Sequence, residues 1–212
     1  MTTLIVIAKE CLPGKVKTRL HPPLSLEQAA ELAAASLHDT LAAVAGLPAT
    51  RRVLAFDGVV APAAAAGYDI VPQVTGGLDE RLGAIFDGCT EPAVLIGMDT
   101  PQVSAAVLAP LFEAWPDDVD AWFGPAADGG FWALALRHPD GDLLRGVPMS
   151  ESFTGAHQLA RLRAAGLRVR MLPTLTDVDH IEDALQVAAL APTGRFAATL
   201  AGFGAALGEV RR

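Results

Sequence analysis

The chain has 212 residues, 51% of them hydrophobic and 19% charged, and a formal net charge of −8. This length predicts one domain over residues 1–212, and the composition excludes a disordered chain because it supplies enough apolar surface to offset the ordering entropy. The acidic total argues against a general nucleic-acid binder, which needs a broad basic face.

The charge is distributed unevenly. All three lysines lie in the first 20 residues, which carry +3, while the remaining 192 residues carry −11. Two interpretations are open. The segment is either a solvated basic arm or a local anion site on an acidic protein.

Two cysteines, Cys11 and Cys89, lie far apart and form neither a disulfide framework nor a cluster of metal ligands. A reduced, cytoplasmic setting fits this usage best. The apolar run before Lys9 is too short for a signal peptide or a membrane span. We therefore expect no membrane partner.

Strand and helix patterns alternate along the chain. Strands are predicted at residues 4–8, 52–56, 68–71, 93–97, 120–123, 131–136 and 169–172. Helices are predicted at residues 25–46, 78–86, 104–115, 152–165, from 179 onward, and 194–207. This alternation predicts an α/β fold with a mostly parallel sheet, in which ligands bind at the carboxyl ends of the strands.

The loop after the first strand is rich in cations. Four of them fall within eleven residues: Lys9, Lys15, Lys17 and Arg19. Pro13-Gly14 permits a tight turn that exposes backbone N–H groups, and the cations could neutralise a diphosphate or triphosphate. The alternative is a solvated basic loop. The segment matches neither the Walker loop nor the dinucleotide fingerprint, which argues against classical ATPase and NAD chemistry.

Three acidic loops follow later strands. Asp99 follows the buried strand at 93–97 and suits a divalent cation that bridges phosphate oxygens, although it could instead cap the next helix. Asp128-Gly129-Gly130 is either a hairpin turn or a site of close backbone approach. Asp177 and Asp179 alternate along an extended segment, which suits a shared cation, while Asp179 with Glu182 also matches a capping box.

These motifs, in their order, resemble a bacterial family of glycosyltransferases of the GT-A type, which is related to phospholactate guanylyltransferases and molybdenum-cofactor guanylyltransferases. The segments that carry the resemblance are Ala8-Lys9, residues 13–20, Leu37-His38-Asp39-Thr40, residues 97–101, Gly124-Pro125, Asp128-Gly129-Gly130 and Asp177-Val178-Asp179. The match covers nearly the whole chain.

The resemblance implies a three-layer α/β/α Rossmann-like fold of the nucleotide-diphospho-sugar transferase type. It also implies roles by position. Lys17, Arg19, Asp99 and Asp128 would be catalytic, and Asp99 with Asp179 would hold Mg²⁺ or Mn²⁺. Nucleotide-binding positions would be Lys9, Pro13, Gly14, Lys15, Lys17, Thr18, Arg19, Glu80 and Arg81. The acceptor would meet Asp128, Gly129 and Gly130.

Three functions remain open. The first is nucleotidyl transfer of the guanylyl type, from a nucleoside triphosphate to a small anionic acceptor with release of pyrophosphate. It is favoured slightly, because Asp99-Thr100-Pro101 lacks the Asp-x-Asp of many glycosyltransferases. The second is glycosyl transfer from a nucleotide sugar to a small acceptor, with Asp128 as base. The third is a non-catalytic nucleotide-binding protein. The expected partners are a nucleotide and a small acceptor, and the chain could form a homodimer.

Overall fold

The computed structural model describes residues 1–204 and residue 208. Within them, one sheet of seven strands runs in the order β3-β2-β1-β4-β6-β5-β7. The strands are β1 Thr3–Lys9, β2 Arg51–Asp57, β3 Asp69–Pro72, β4 Ala93–Gly97, β5 Ala121–Pro125, β6 Phe131–Leu136 and β7 Val169–Met171. The predicted α/β fold with a mostly parallel sheet is confirmed.

Helices cover both faces of this sheet. They are α1 Leu26–Val44, α2 Leu78–Asp87, α3 Ala105–Leu108, α4 Thr154–Ala164, α5 Ile181–Leu190 and α6 Arg195–Gly202. Alternate β1 residues point to opposite faces, so Leu4 and Val6 join the cluster under α1, whereas Ile5 joins the cluster under α2 and α4. A third cluster joins α1 to α5 and α6. This makes α1 a helix buried on two sides.

The direction of β5 decides where the later loops lie. β6 pairs antiparallel with both β4 and β5, so β5 runs parallel to β4. The carboxyl ends of β1, β4 and β5 therefore meet at one edge of the sheet. The loop with Asp128, which follows β5, opens on the same edge as Asp99, which follows β4.

Three predicted helices differ from the structure. The helix expected at 104–115 is only one turn of α3 followed by the 3-10 turn Ala109–Phe112, because Pro110 cannot donate the bond that would continue the helix. The helix expected from Asp179 begins at Ile181, and its capping box joins His180 to Asp183 rather than Asp179 to Glu182. The last helix ends at Gly202, and residues 205–207 of that prediction lie outside the described residues.

Among the described residues, no helix has the length and apolar character to cross a membrane.

Asp39, within one of the motifs quoted above, has a structural role. Its two carboxylate oxygens accept the backbone N–H groups of Arg195 and Phe196 at 3.1 and 2.7 Å. These donors lie in the first turn of α6, where a helix leaves its N–H groups without partners. Asp39 thereby connects α1 to α6.

We expect Asp39→Ala to lower the free energy of unfolding by about 1 kcal/mol, the usual cost of a lost helix cap. Urea denaturation followed by tryptophan fluorescence measures this. Asp39→Asn keeps an oxygen acceptor and should recover part of the loss. Equal stability of Asp39→Ala and the wild type would show that the cap contributes nothing.

Candidate active site

A cleft of about 1080 Å³ opens at the carboxyl edge of the sheet. Its walls are the loop after β1, the connection from β3 to α2, the end of β4, the loop between β5 and β6, and two later segments at 149–154 and 177–183. All of these segments except 149–154 contain residues for which the sequence analysis predicted a role.

The basic loop is fixed by two apolar anchors, the buried side chains of Val16 and Leu20. Between them Lys17 adopts a left-handed conformation, with φ 47°, which a residue with a side chain seldom takes. The Lys17 side chain points inward, and only 9% of its surface is exposed. Lys9 and Lys15 stay exposed on the cleft wall.

The Lys17 ammonium lies between two carboxylates. Its Nζ is 3.0 Å from Asp99 Oδ1 and 3.0 Å from Asp179 Oδ1, and Arg19 Nη1 lies 3.1 Å from Asp179 Oδ2. Burial by itself lowers the pKa of Lys17, but both carboxylates outweigh it and raise the pKa above its ordinary value. Burial likewise raises the pKa of Asp179, yet Lys17 and Arg19 bring it below its ordinary value. Both shifts favour the charged forms of Lys17 and Asp179.

Backbone hydrogen bonds hold the acidic segment beside β4. The Val178 N–H donates to the Asp99 carbonyl at 3.1 Å, and the Ala127 N–H donates to the Leu175 carbonyl at 2.9 Å. Asp183 accepts the backbone N–H of Asp179 at 3.2 Å. Residues 175–179 are thus fixed between the end of β4 and the loop after β5.

Asp177 differs from Asp99 and Asp179 because it forms no salt bridge with the residues that the structure describes. Its Oδ1 is buried and has no hydrogen-bond partner among the described residues. Burial raises the pKa of Asp177 to about 7, with Asp99 and Asp128 adding to the effect and Lys17 opposing it. Nearby Thr100 is only 1% exposed, lines the cleft and also has a hydroxyl oxygen without a partner among the described residues.

The donor chemistry of this group fits a hard divalent cation. Asp99, Asp177 and Asp179 all line the cleft, and the buried Oδ1 of Asp177 has no hydrogen-bond partner among the described residues. Carboxylate oxygens are the ligands that such a cation prefers. Within the described residues, no set of three His, Cys, Asp or Glu side chains has the geometry of a complete metal site. Mg²⁺ commonly takes one or two carboxylates and completes its shell with water and substrate phosphates.

The connection from β3 to α2 forms the wall opposite the acidic segment. Gln73 Nε2 donates to the carbonyls of Ala8 and Ala55 at 2.9 and 3.0 Å, which ties this connection to β1 and β2. Arg81 lines the cleft and donates to the Gly76 carbonyl at 3.1 Å. Gln73 Oε1 also accepts a hydrogen bond from Arg81 Nη1 at 3.5 Å. Sequence reasoning missed Gln73, because a single amide with these contacts belongs to no motif.

The Asp-Gly-Gly loop packs against the start of α4. The Gly155 N–H donates to the Gly129 carbonyl at 2.8 Å, and Gly129 has φ 92°, a conformation that glycine adopts without strain. A side chain there would collide with the backbone of Ser152. The loop is therefore both a turn and a wall of the cleft.

The structure brings most predicted site residues together. Those that line the cleft are Lys9, Lys15, Lys17, Thr18, Arg19, Arg81, Asp99, Asp128, Gly130 and Asp179. Pro13, Gly14, Glu80 and Gly129 do not line it. Glu80 instead pairs with Arg145 at 3.4 Å, and Gly14 forms the turn behind the lysines with φ 73°.

The family model for "uncharacterized protein conserved in bacteria" (DUF2064) matches residues 37–151, more than half of the chain. The chain belongs to this family. The matched part of the DUF2064 chain includes Asp99 and Asp128 but neither the basic loop nor Asp179. No curated protein matches the sequence.

Solved structures confirm the fold of this DUF2064 protein. A candidate nucleotide-diphospho-sugar transferase from Desulfovibrio desulfuricans G20 is 25% identical, with a TM-score of 0.84 over 98% of this chain and 97% of that one. The 2-C-methyl-D-erythritol 4-phosphate cytidylyltransferase of Thermus thermophilus is 17% identical, with a TM-score of 0.54 over 91% and 100%. CMP:2-keto-3-deoxy-manno-octonic acid synthetase, solved with CTP, is 13% identical, with a TM-score of 0.57 over 90% and 98%. The predicted relation to guanylyltransferases stays a prediction.

Asp177 gives a prediction about pH. Its pKa of about 7 in the folded chain lies above the value near 4 of an unfolded Asp, so folding loses stability as the pH rises from about 4 to about 7 and stays lower above that. We expect Asp177→Asn to remove this loss and to raise the free energy of unfolding at pH 8 by on the order of 2 kcal/mol.

Thermal unfolding at pH 5 and pH 8 measures this difference. Asp117→Asn, which removes the charge of an exposed carboxylate outside the cleft, is the matched control and should change neither value. Parallel pH profiles for the wild type and Asp177→Asn would contradict the assignment.

Proposed function

We propose that the chain is a nucleotide-dependent transferase, and that it transfers a nucleotidyl group of the guanylyl type from a nucleoside triphosphate with release of pyrophosphate. The observation that carries this proposal is the Lys17 ammonium held between Asp99 and Asp179 beside exposed Lys9 and Lys15. A polyphosphate is the substrate feature that such a group of cations suits best.

The residues act by position and charge. Lys9, Lys15 and Arg19 line the cleft where phosphate oxygens would lie, and they stabilise the negative charge that grows on the departing pyrophosphate. Lys17 holds the Asp99 and Asp179 carboxylates close together and adds a positive charge at the end of β4. No activated Ser, Cys or His is required, since the acceptor oxygen itself attacks the α-phosphorus.

Asp99 and Asp179, with the unpartnered oxygen of Asp177, would hold Mg²⁺ or Mn²⁺ against the phosphates. Such an ion would supply further charge neutralisation and fix the orientation of the phosphate chain. The solved transferases of this fold support a nucleotide substrate, since one of them was determined with CTP.

Glycosyl transfer from a nucleotide sugar is the second candidate. It is supported by the 25% identical protein from Desulfovibrio desulfuricans, whose name is that of a nucleotide-diphospho-sugar transferase. The same cations would then stabilise a nucleoside diphosphate as leaving group, and Asp128 would accept the proton of the acceptor.

A thermal-shift panel separates these candidates. A ligand that binds only the folded state raises its apparent stability. The panel contains the four nucleoside triphosphates, UDP-glucose and GDP-mannose, each with Mg²⁺ or Mn²⁺. Stabilisation by GTP alone supports guanylyl transfer, stabilisation by a nucleotide sugar supports glycosyl transfer, and the absence of any shift contradicts both.

We expect Asp99→Asn to reduce metal-dependent turnover by about a hundredfold or more, because it removes a charged ligand and one partner of Lys17. Release of pyrophosphate, or of nucleoside diphosphate from a nucleotide sugar, measures turnover. Asp69→Asn, an exposed carboxylate on the edge strand β3, is the control. Wild-type turnover by a folded Asp99→Asn protein would contradict the proposal that Asp99 is a metal ligand.

For Lys15→Ala, the dissociation constant of the bound nucleotide should rise about tenfold at low ionic strength and should depend less on salt, because a charge-assisted contact is lost. Isothermal titration at two salt concentrations measures both quantities. Arg163→Ala removes one exposed positive charge outside the cleft and is the matched control. Identical affinities for the wild type and Lys15→Ala would mean that the basic loop is merely solvated.

A further inference from the structure

We infer that the Lys17 ammonium and a divalent cation compete for one position between Asp99 and Asp179. Lys17 holds the two carboxylates, and it moves to the substrate phosphates when a metal ion binds together with them. This inference rests on the proposed function, because it uses the metal ligands named there. It adds a control over when the metal binds.

The ammonium lies where these two carboxylates would share a cation. Lys17 Nζ is 3.0 Å from Asp99 Oδ1 and 3.0 Å from Asp179 Oδ1. Carboxylate oxygens bind Mg²⁺ at about 2.0–2.1 Å. A divalent cation held by both oxygens would therefore use the same two atoms that Lys17 uses.

Asp179 is already engaged through both of its oxygens. Its Oδ1 pairs with Lys17, and its Oδ2 lies 3.1 Å from Arg19 Nη1. Each oxygen has a further lone pair, but a metal ion placed there would lie beside a cation that is already bound. Binding of a metal ion by Asp179 thus works against one of these two ion pairs.

The balance of charge determines which ion pair is given up. Lys17 and Arg19 together offset the charges of Asp99 and Asp179. A metal ion that shared an oxygen with Lys17 would lie within roughly 5 Å of the ammonium, and the two cations would repel each other. Replacement of the ammonium relieves this repulsion at both carboxylates, whereas loss of the Arg19 contact relieves it at neither shared oxygen.

Lys17 can leave the carboxylates while the loop keeps its anchors. The ammonium ends a flexible stem of four carbons, and the backbone on either side is held by the buried side chains of Val16 and Leu20. Lys15 and Thr18 of the same loop line the cleft. Rotation of the stem would therefore carry Nζ toward the phosphates that this loop is proposed to bind.

The competition couples two binding events. Phosphate oxygens complete the shell of a bound Mg²⁺, and they also give the released Lys17 ammonium a new anionic partner. A metal ion without phosphates displaces Lys17 from two carboxylates and offers it nothing in return. The metal ion alone should therefore bind weakly, and it should bind well together with a polyphosphate.

Binding of Mn²⁺ alone tests the competition, because Mn²⁺ takes the same oxygen ligands as Mg²⁺. The paramagnetic resonance signal of the free ion measures its dissociation constant. We expect Lys17→Met, which keeps the length of the side chain and removes its charge, to lower this constant at least about tenfold, because the competing cation is gone. Adding Asp179→Asn to Lys17→Met should abolish the gain.

Lys15→Met is the matched control. It removes the same charge from the same loop, but Lys15 is exposed and forms no salt bridge with any residue that the structure describes. Its dissociation constant for Mn²⁺ should stay within about twofold of the wild-type value, because solvent screens an exposed charge. Equal affinities of the wild type and Lys17→Met overturn the inference, as does an equal gain in Lys15→Met or a gain that survives Asp179→Asn.

Thermal unfolding provides a second measurement if Lys17→Met folds poorly. This variant should unfold at a lower temperature than the wild type, because its carboxylates repel one another, and saturating Mn²⁺ should recover most of the difference. Mn²⁺ should shift the wild type less. Failure of Mn²⁺ to stabilise Lys17→Met overturns the inference.

These measurements use neither nucleotide nor turnover, so they are separate from the test of the proposed function. If Lys17→Met gains no affinity for Mn²⁺ while nucleotides stabilise the wild type, only the competition is wrong. If no nucleotide or nucleotide sugar stabilises the wild type, the proposed function is wrong.

Discussion

The site depends on the two ion pairs that the Lys17 ammonium forms with Asp99 and Asp179. The ammonium joins three chain segments that lie far apart in sequence: the loop after β1, the end of β4 at Asp99, and the segment after β7 at Asp179. Without this cation, the carboxylates that converge there would repel one another at short range. The basic loop therefore has a structural role in addition to any contact with phosphate. The left-handed backbone at Lys17 is part of that role, because it accompanies the inward position of the side chain.

Sheet topology explains why the three segments can meet. Strands β1, β4 and β5 run in one direction, while β6 alone runs against its two neighbours. Because β6 lies between β4 and β5 and runs antiparallel to both, β5 runs in the same direction as β4. β7 pairs parallel with β5, so all three strands end at the same edge of the sheet. Asp99 thus stands between the basic loop after β1 and the acidic segment after β7. Lys17 and Arg19 reach across the end of β4 to Asp179, so the opposite charges meet there.

Much of the fold was predictable from residue patterns. The strands β1 and β4 are buried on both faces, and their sequences are continuous apolar runs. The helix predicted at 25–46 corresponds to α1, which begins after a capping box formed by Ser25 and Gln28. The meeting of Asp99 with Asp179 follows from acidic residues placed after parallel strands. The different environments of the two side chains, Asp179 paired with Lys17 and Asp177 unpaired, could not be predicted from the sequence. The hydrogen bond from the Val178 N–H to the Asp99 carbonyl orients this segment, and no sequence pattern indicates that bond. Residues 149–152, which line the cleft, were missed because this segment follows no strand directly.

Asp177 links the stability of the fold to the chemistry of the cleft. A buried carboxylate that lacks partners lowers stability at neutral pH, and an amide of the same shape would avoid that cost. Lys17 satisfies Asp99 and Asp179 but leaves this oxygen free. With a pKa of about 7, Asp177 carries only part of a negative charge at neutral pH. A cation bound beside Asp99 and Asp179 would lower the pKa of Asp177 and complete its ionisation, so ligand binding and the stability of the fold would be coupled through this one side chain.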